Sequence, residues 1–329
     1  MKIAIIGGGW VGCHLAFKLK NKHNIILFDK NNELFSETSY KNQNRLHFGF
    51  HYARNNRTRL MCKETFNMFI NDYGFLTNKV EDNLYCIPNK ESIIDYDTYL
   101  QIFKEFEKKD SLIKFKNTNG CINTKEKYIN FLKAKEFFNN ELKDVFIQKN
   151  INNSELKNIS KEYDLVINAT NNFIKDKRYK DSFYELTLSL IYRKIKTLYF
   201  GALTLVDGNL FSIYPYYEDK FSLTDVEYTP LKKFKSLETL NAFKKKINND
   251  LINEKKRLIE NKVKNFLPDF DEYFKYDSYF LSIKSKIDTN SDERYPIITK
   301  NKNIINCFTG KIQGIYIIEK YIEDEIINR

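Results

Sequence analysis

The sequence predicts an α/β protein in which a parallel-sheet nucleotide domain is interleaved with a smaller α+β domain that carries an antiparallel sheet. Three stretches predict this. Residues 2–6 (KIAII) form an apolar run that opens directly into glycines, residues 10–20 place Val11, Leu15, Ala16 and Leu19 on one helical side, and residues 24–29 (NIILFD) read as a second buried strand. Together they make a βαβ unit of the length that a parallel crossover needs. Residues 184–228, rich in Tyr, Leu, Thr and Ile with a turn signal at Asp207-Gly208, predict antiparallel strands. A strand at 303–308, a glycine turn at Gly310 and a helix to about 327 bring the chain back to its first domain. The nucleotide domain is therefore expected to comprise 1–75, 124–175 and 295–329, and the second domain 76–123 and 176–294.

The intervening elements follow from the same patterns. Residues 45–52 (RLHFGFHY) alternate with a period of two, which predicts a strand with Arg45, His47, Gly49 and His51 on one face. A helix is expected over 58–72, a strand over 83–87 and another helix from Asp95. Residues 124–142 read as an amphipathic helix with Thr124 as its cap, although Lys127 stands where a capping box wants an acid. Strands are expected at 144–149 and 163–168, and a long Lys-rich helix or helix pair at 231–265, ended by Pro268. There is no internal repeat.

Composition narrows the function classes. A chain of 329 residues, 42% hydrophobic and 29% charged, is globular and long enough for two domains. Its net charge of +11 is spread along the sequence with no basic arm, so it reflects a Lys- and Asn-rich coding bias and no nucleic-acid partner is expected. The five cysteines, at 13, 62, 86, 121 and 307, form no CxxC pair, so reduced thiols, a cytoplasmic setting and no metal site are expected. The apolar start has no cleavage signal, and no run reaches the ~20 residues that would span a bilayer, so no membrane partner is expected.

Gly7-Gly8-Gly9-Trp10-Val11-Gly12 fits GxGxxG between a strand and a helix. Gly7 permits the tight turn, Gly9 lets the backbone approach a pyrophosphate, and Gly12 lets the helix pack on the sheet. Trp10 and Val11 open the helix, whose N–H groups and dipole favour the anion. Asp29, followed by Lys30, ends the second strand, where a carboxylate accepts hydrogen bonds from a ribose and disfavours a 2′-phosphate. The fingerprint alone leaves FAD and NAD open. A second cluster lies at 45–59, which holds four of the nine arginines (Arg45, Arg54, Arg57, Arg59) and two of the four histidines (His47, His51). Against 45 lysines, arginine at such density points to bidentate recognition of carboxylate or phosphate.

These motifs resemble the FAD-dependent oxidoreductases of the D-amino-acid oxidase, glycine oxidase and sarcosine oxidase type. Four pieces carry the resemblance: Gly7 to Asp29; Ser39-Tyr40-Lys41-Asn42-Gln43-Asn44-Arg45 and the adjoining Leu46; Tyr163 to Thr170, ending in Ala169-Thr170; and Arg294-Tyr295-Pro296 with Thr309-Gly310-Lys311-Ile312-Gln313-Gly314. The resemblance implies an FAD-binding domain contacted by these residues. It also implies an enzyme that takes a hydride from a C–H bond next to an amine or hydroxyl of a small, anionic substrate. In that scheme Arg54 or Arg294 anchors the substrate, and His47, His51, Tyr52 and Lys311 line the pocket. Two positions depart from the family pattern: Asn171 where a glycine is usual, and Lys311 inside the closing glycine turn. Cys307, near that turn, is read as a buried free thiol. The alternatives are a flavin- or NAD-dependent enzyme acting on a nucleotide sugar, or a non-catalytic nucleotide-binding subunit.

Overall fold

A computed structural model of the chain describes every residue except 177, 180 and 289–292. Residues 177, 180 and 289–292, all within the stretch expected to belong to the second domain, lie outside the described residues. The first sheet has six strands in the order Ile297–Asn301, Ile304–Phe308, Leu165–Asn168, Lys2–Ile6, Asn24–Asp29 and Phe146–Gln148. All neighbours are parallel except the first pair. Strand Lys2–Ile6 is central, and Ile3, Ala4 and Ile5 are fully buried, as a strand covered on both faces requires.

The fingerprint helix, Trp10–Leu19, packs onto this sheet because Gly12 has no side chain. A Cβ there would lie 1.8 Å from the carbonyl oxygen of Gly7. Below the helix, Trp10, Phe35, Phe69, Tyr73 and Phe138 form one edge-on aromatic cluster, with Phe35 and Phe138 stacked at 5.1 Å. Helix Asn56–Tyr73 supplies two of these rings and starts at Asn55, whose side chain accepts the N–H of Thr58.

The second sheet has nine strands, mostly antiparallel. Strands Ser182–Lys194 and Phe274–Ile287 pair along thirteen residues at its heart. Alternation sorts its side chains. Leu84, Leu188, Leu190, Leu203, Ile213 and Leu223 point to one face and meet Ile252, Ile259 and Val263 of helix Asn249–Lys264. The other face, which looks toward the first sheet, carries Thr187, Ser189, Thr204, Ser212 and Thr224. A small third sheet, Arg45–Leu46, Lys127–Ile129 and Thr77–Lys79, lies between the two.

Several sequence expectations need correction. The strand at 45–52 stops after Leu46, because Gly49 takes φ +120° and residues 47–54 turn back on themselves. A Cβ on Gly49 would meet the carbonyl oxygen of Arg59 at 2.9 Å, so glycine is needed where the two chain segments cross. The helix expected at 124–142 is two strands followed by Phe131–Glu141, capped by Asn130 and not by Thr124. Helix Asn153–Glu162 was not expected, although Asn152 and Glu155 form a capping box. Strand Phe274–Ile287 was also missed. The stretch 231–265 opens as strand Pro230–Phe234 before a helix pair, Leu237–Lys244 and Asn249–Lys264. Not all thiols are reduced: Cys86 and Cys121, directly opposite each other on paired strands, are joined in a disulfide, while Cys13, Cys62 and Cys307 are free. Among the described residues no helix is long and apolar enough to cross a membrane.

Phe138 is fully buried and touches Trp10, Phe35 and Tyr73. Phe138→Ala should lower unfolding free energy by about 3–5 kcal/mol, read as a shift in denaturant midpoint. A loss under ~1 kcal/mol would show that the cluster collapses around the gap.

Candidate active site

A cavity of about 1150 Å³ runs from the glycine turn of the first sheet to the hydroxyl-bearing face of the second. It exceeds the ~300–1,000 Å³ of most ligand sites, which suits a dinucleotide with room for a substrate. At one end lie Gly7, Gly8, Gly9, Trp10 and Val11. Gly7 takes φ +108°, and a Cβ on it would meet Ala169 backbone at 2.7 Å. A Cβ on Gly9 would meet the Ser39 hydroxyl at 2.8 Å. Ser39 Oγ also accepts the Trp10 N–H at 3.0 Å, at the helix start where an anion is favoured. Trp10 contributes only backbone here, since its ring is buried in the aromatic cluster. Gly12 lies behind the turn rather than in the wall. Asp29 lines the cavity and accepts the N–H groups of Gly8 at 2.6 Å and Asn31 at 2.8 Å. Lys30, beside it, pairs with Glu37 at 2.9 Å.

At the other end, buried charge gathers around the 42–54 segment. Asn42 accepts the Asn44 N–H at 2.5 Å and bends the chain so that Asn44 takes φ +50°. Leu46 turns into the core, away from the cavity. Arg45 turns the opposite way: its guanidinium stacks on Tyr214 at 4.0 Å and donates through Nη1 to Thr204 at 2.8 Å. Its Nε and Nη2 are buried without a hydrogen-bond partner. His47 and His51 lie 5.8 Å apart, both on the cavity wall, beside the ring of Tyr52.

Lys311 reaches His47 Nε2 at 3.0 Å and lies 5.0 Å above the Tyr52 ring. Burial, then the charge of Arg45, pushes the Lys311 amine down to about 7. Burial, then the charges of Lys311 and Arg45, holds His47 well below the usual imidazole range. His51 is held low by burial and by the same cations. These effects favour the neutral imidazole of His47. Its Nε2 shares a hydrogen bond with Lys311 Nζ, and its Nδ1 faces Glu126 Oε2 at 3.7 Å. Glu126 is fully buried and accepts the Phe48 N–H at 2.6 Å, the Gly49 N–H at 3.2 Å and the Tyr85 hydroxyl at 2.6 Å. Burial raises its pKa, and these donors and Arg45 partly offset the rise.

Two further segments close the wall. After strand Leu165–Asn168, Asn168 Oδ1 accepts from the Thr170 hydroxyl at 2.7 Å, and Asn171 and Asn172 both take left-handed φ, 54° and 63°. Asparagine therefore does at 171 what glycine usually does. Gly310, Lys311 and Ile312 line the cavity. Gln313 is turned inward, donating to the carbonyls of His47 and Cys62, and Gly314 packs under Thr309. Arg54 pairs with Asp207 at the rim. Arg294 lies across Gly310, with its N–H on Thr58 Oγ1 at 2.9 Å. Arg57 pairs with Glu293, and Arg59 holds the carbonyls of Tyr52 and Ala53, so neither is aimed at a ligand. Cys307 lines the cavity as a buried thiol pushed up to about 12, which keeps it protonated.

A family described as FAD dependent oxidoreductase (DAO) matches residues 2–78. The chain is 32% identical over 339 residues to the FAD-dependent monooxygenase FPY4 of Fusarium mangiferae, covering 97% of this chain and 89% of that protein. This chain belongs to the FAD-dependent oxidoreductases of the DAO type. It is also 24% identical to the FAD-dependent monooxygenase kojA of Aspergillus flavus, over 96% of this chain and 83% of that one. Among solved structures it resembles glycine oxidase from Geobacillus kaustophilus with a TM-score of 0.71, at 10% identity over 100% of this chain and 95% of that one. It likewise resembles L-α-glycerophosphate oxidase from Mycoplasma pneumoniae with FAD bound, with a TM-score of 0.69 at 13% identity over 97% and 92% of the two chains. The protein is an FAD-dependent enzyme, which sets aside the NAD-only and non-catalytic alternatives.

The residues present fit FAD. A glycine cradle that any Cβ would fill lies at one end of the cavity, and a buried guanidinium with two unpartnered nitrogens at the other. Sequence reasoning missed Glu126, which stood inside the expected helix as one acid between two lysines. It also missed Lys284 and the hydroxyls facing it. Their signal was the alternation of polar 282 and 284 with apolar 281 and 283.

Asp29→Ala removes a carboxylate that lines the cavity, so FAD titrated into apoprotein should bind more weakly by about 1.5–3 kcal/mol. Unchanged affinity would take Asp29 out of the cofactor site. Lys311 makes a prediction about pH. Its folded pKa, about 7, lies below the unfolded lysine value, so between the two the unfolded chain holds the extra proton and stability rises with pH. Lys311→Met should shrink the gain in apoprotein stability from neutral to alkaline pH; an undiminished gain would assign it to another group.

Proposed function

We propose that this enzyme oxidises a small, anionic substrate at a C–H bond next to an amine or hydroxyl. The observation that carries this is the cationic lining of the cavity: Arg45 keeps two buried nitrogens without a hydrogen-bond partner, Lys284 has no ion pair among the described residues, and Lys311 is buried within reach of the Arg45 charge. Buried cations without a counter-charge are costly, and an anionic ligand relieves that cost. Bound FAD supplies the two-electron acceptor for the hydride. The Gly7–Gly9 turn and Asp29 would hold its nucleotide half, and Ala169, Thr170 and Gly310–Ile312 would close over it. Arg45, fixed by Tyr214 and Thr204, would orient a hydrogen-bond acceptor of the bound ligand without losing much side-chain freedom. Lys311, titrating near neutrality, is suited to take the proton of the substrate amine or hydroxyl, with His47 holding its Nζ in place.

The names of the fungal relatives favour a second reading, in which one atom of molecular oxygen enters the product and the other leaves as water, with the two electrons supplied by a reduced nicotinamide as co-substrate. Turnover under ¹⁸O₂ separates the two. Unlabelled product with hydrogen peroxide formed one-for-one supports simple oxidation, and labelled product overturns it in favour of oxygenation. Lys311→Met should lower the flavin midpoint potential while FAD stays bound, since ~30 mV corresponds to ~1.4 kcal/mol for two electrons. The difference should be larger at acid than at alkaline pH, where the wild-type amine is already neutral. Equal potentials across pH would mean that Lys311 does not act on the flavin.

A further inference from the structure

The far wall of the cavity is the polar face of the nine-stranded sheet. Strand Ser182–Lys194 presents Glu185, Thr187 and Ser189 to it, and its partner Phe274–Ile287 presents Ser282, Lys284 and Lys286. The row continues across the sheet through Thr224 and Ser212. Thr187 and Ser282 bond each other at 2.8 Å. The hydroxyls of Ser189, Ser212 and Thr224 have no hydrogen bond among the described residues. An amino-acid pocket shaped for an apolar side chain would not present this surface; hydroxyl groups match hydroxyl groups.

Charge on this wall is unequally shared. Glu185 lies directly opposite Lys284 in the register, yet its carboxylate goes to Lys286 at 2.5 Å. Lys284 is left with no ion pair and no hydrogen bond among the described residues. Its neighbours in charge are Lys286, Arg294 and Glu185, and burial leads in pushing its amine down to about 8. A lysine facing a cavity beside two other cations, with Glu185 already paired to Lys286, is a site for an anion.

We infer that the substrate is a polyhydroxylated acid of the sugar-acid or sugar-phosphate class, with its hydroxyls on the Thr187–Ser189–Ser212–Thr224 wall and its anionic end on Lys284. This rests on the reading of the cavity as the substrate site and adds the chemical class and the specificity-determining residue. Carboxylate and phosphate share the chemistry that Lys284 reads, so both are tested.

The experiment is an anaerobic titration of the purified holoenzyme, followed through flavin absorbance, with D-gluconate, D-glucose 6-phosphate, D-glucose and glycine. Gluconate or glucose 6-phosphate should perturb or bleach the flavin at concentrations at least about tenfold lower than glucose, the effect of one charge-assisted contact. Lys284→Gln should bring that ratio close to one, while Lys286→Gln, whose partner is Glu185, should preserve it. A ratio unchanged in Lys284→Gln, glycine acting at concentrations as low as the sugar acids, or no response to any sugar would overturn the inference. Loss of FAD from Lys284→Gln would also overturn it, by giving the lysine to the cofactor. A spectral shift without bleaching keeps the anion site and removes oxidation of that compound. Bleaching by glycine with no effect of Lys284→Gln keeps oxidation and removes the site, so the two readings fail separately.

Discussion

A buried carboxylate on the short link between two strands takes the N–H groups of Phe48 and Gly49 and the hydroxyl of Tyr85, and much of the site follows from those three bonds. Phe48 and Gly49 belong to the segment that turns His47, His51 and Tyr52 into the cavity, and Tyr85 belongs to the nine-stranded sheet. Glu126 therefore fixes a loop of one layer to a strand of the other. Arg45 makes the reciprocal tie, from the small sheet to Thr204 and Tyr214. With one partner of such a buried set removed, the remaining charges have nowhere to go, which makes the arrangement sensitive to single changes.

The first sheet was largely legible because its signals are local. Gly7, Gly9 and Gly12 act within one turn, and a buried parallel strand is a short apolar run wherever it occurs. The motifs at 163–170 and 309–314 were legible through resemblance, and the left-handed conformation of Asn171 through its chemistry. Residues 45–52 misled because alternation is necessary for a strand but does not make one; Arg59 passing under Gly49 is a tertiary fact that no window contains. Glu126 was invisible for the same reason. Between Lys125 and Lys127 it looks like a solvated charge, and only the fold buries it. The Cys86–Cys121 pair depended on strand register, which spacing in sequence does not reveal.

The two sheets divide the labour in a way that the likeness to glycine oxidase and glycerophosphate oxidase makes intelligible. At 10% and 13% identity the likeness is one of fold, and a common fold leaves the residues of a site free to differ. In this chain the polar wall of the cavity is built of short hydroxyls and lysines set on rigid, fully paired strands, which is a firmer platform for recognition than a loop.

Glycine is scarce here, and asparagine stands in for it at several turns, including the consecutive pair Asn171 and Asn172 over the cavity. A glycine adopts the left-handed region without penalty but widens the range of shapes open to the unfolded chain, which folding must then narrow. Asparagine tolerates the same backbone, and its amide also binds locally, as when Asn172 Oδ1 accepts the Asp176 N–H at 3.2 Å. The turn that lines the cavity at Asn171 thus carries part of its rigidity in the unfolded ensemble, where a comparison of native contacts alone would not find it.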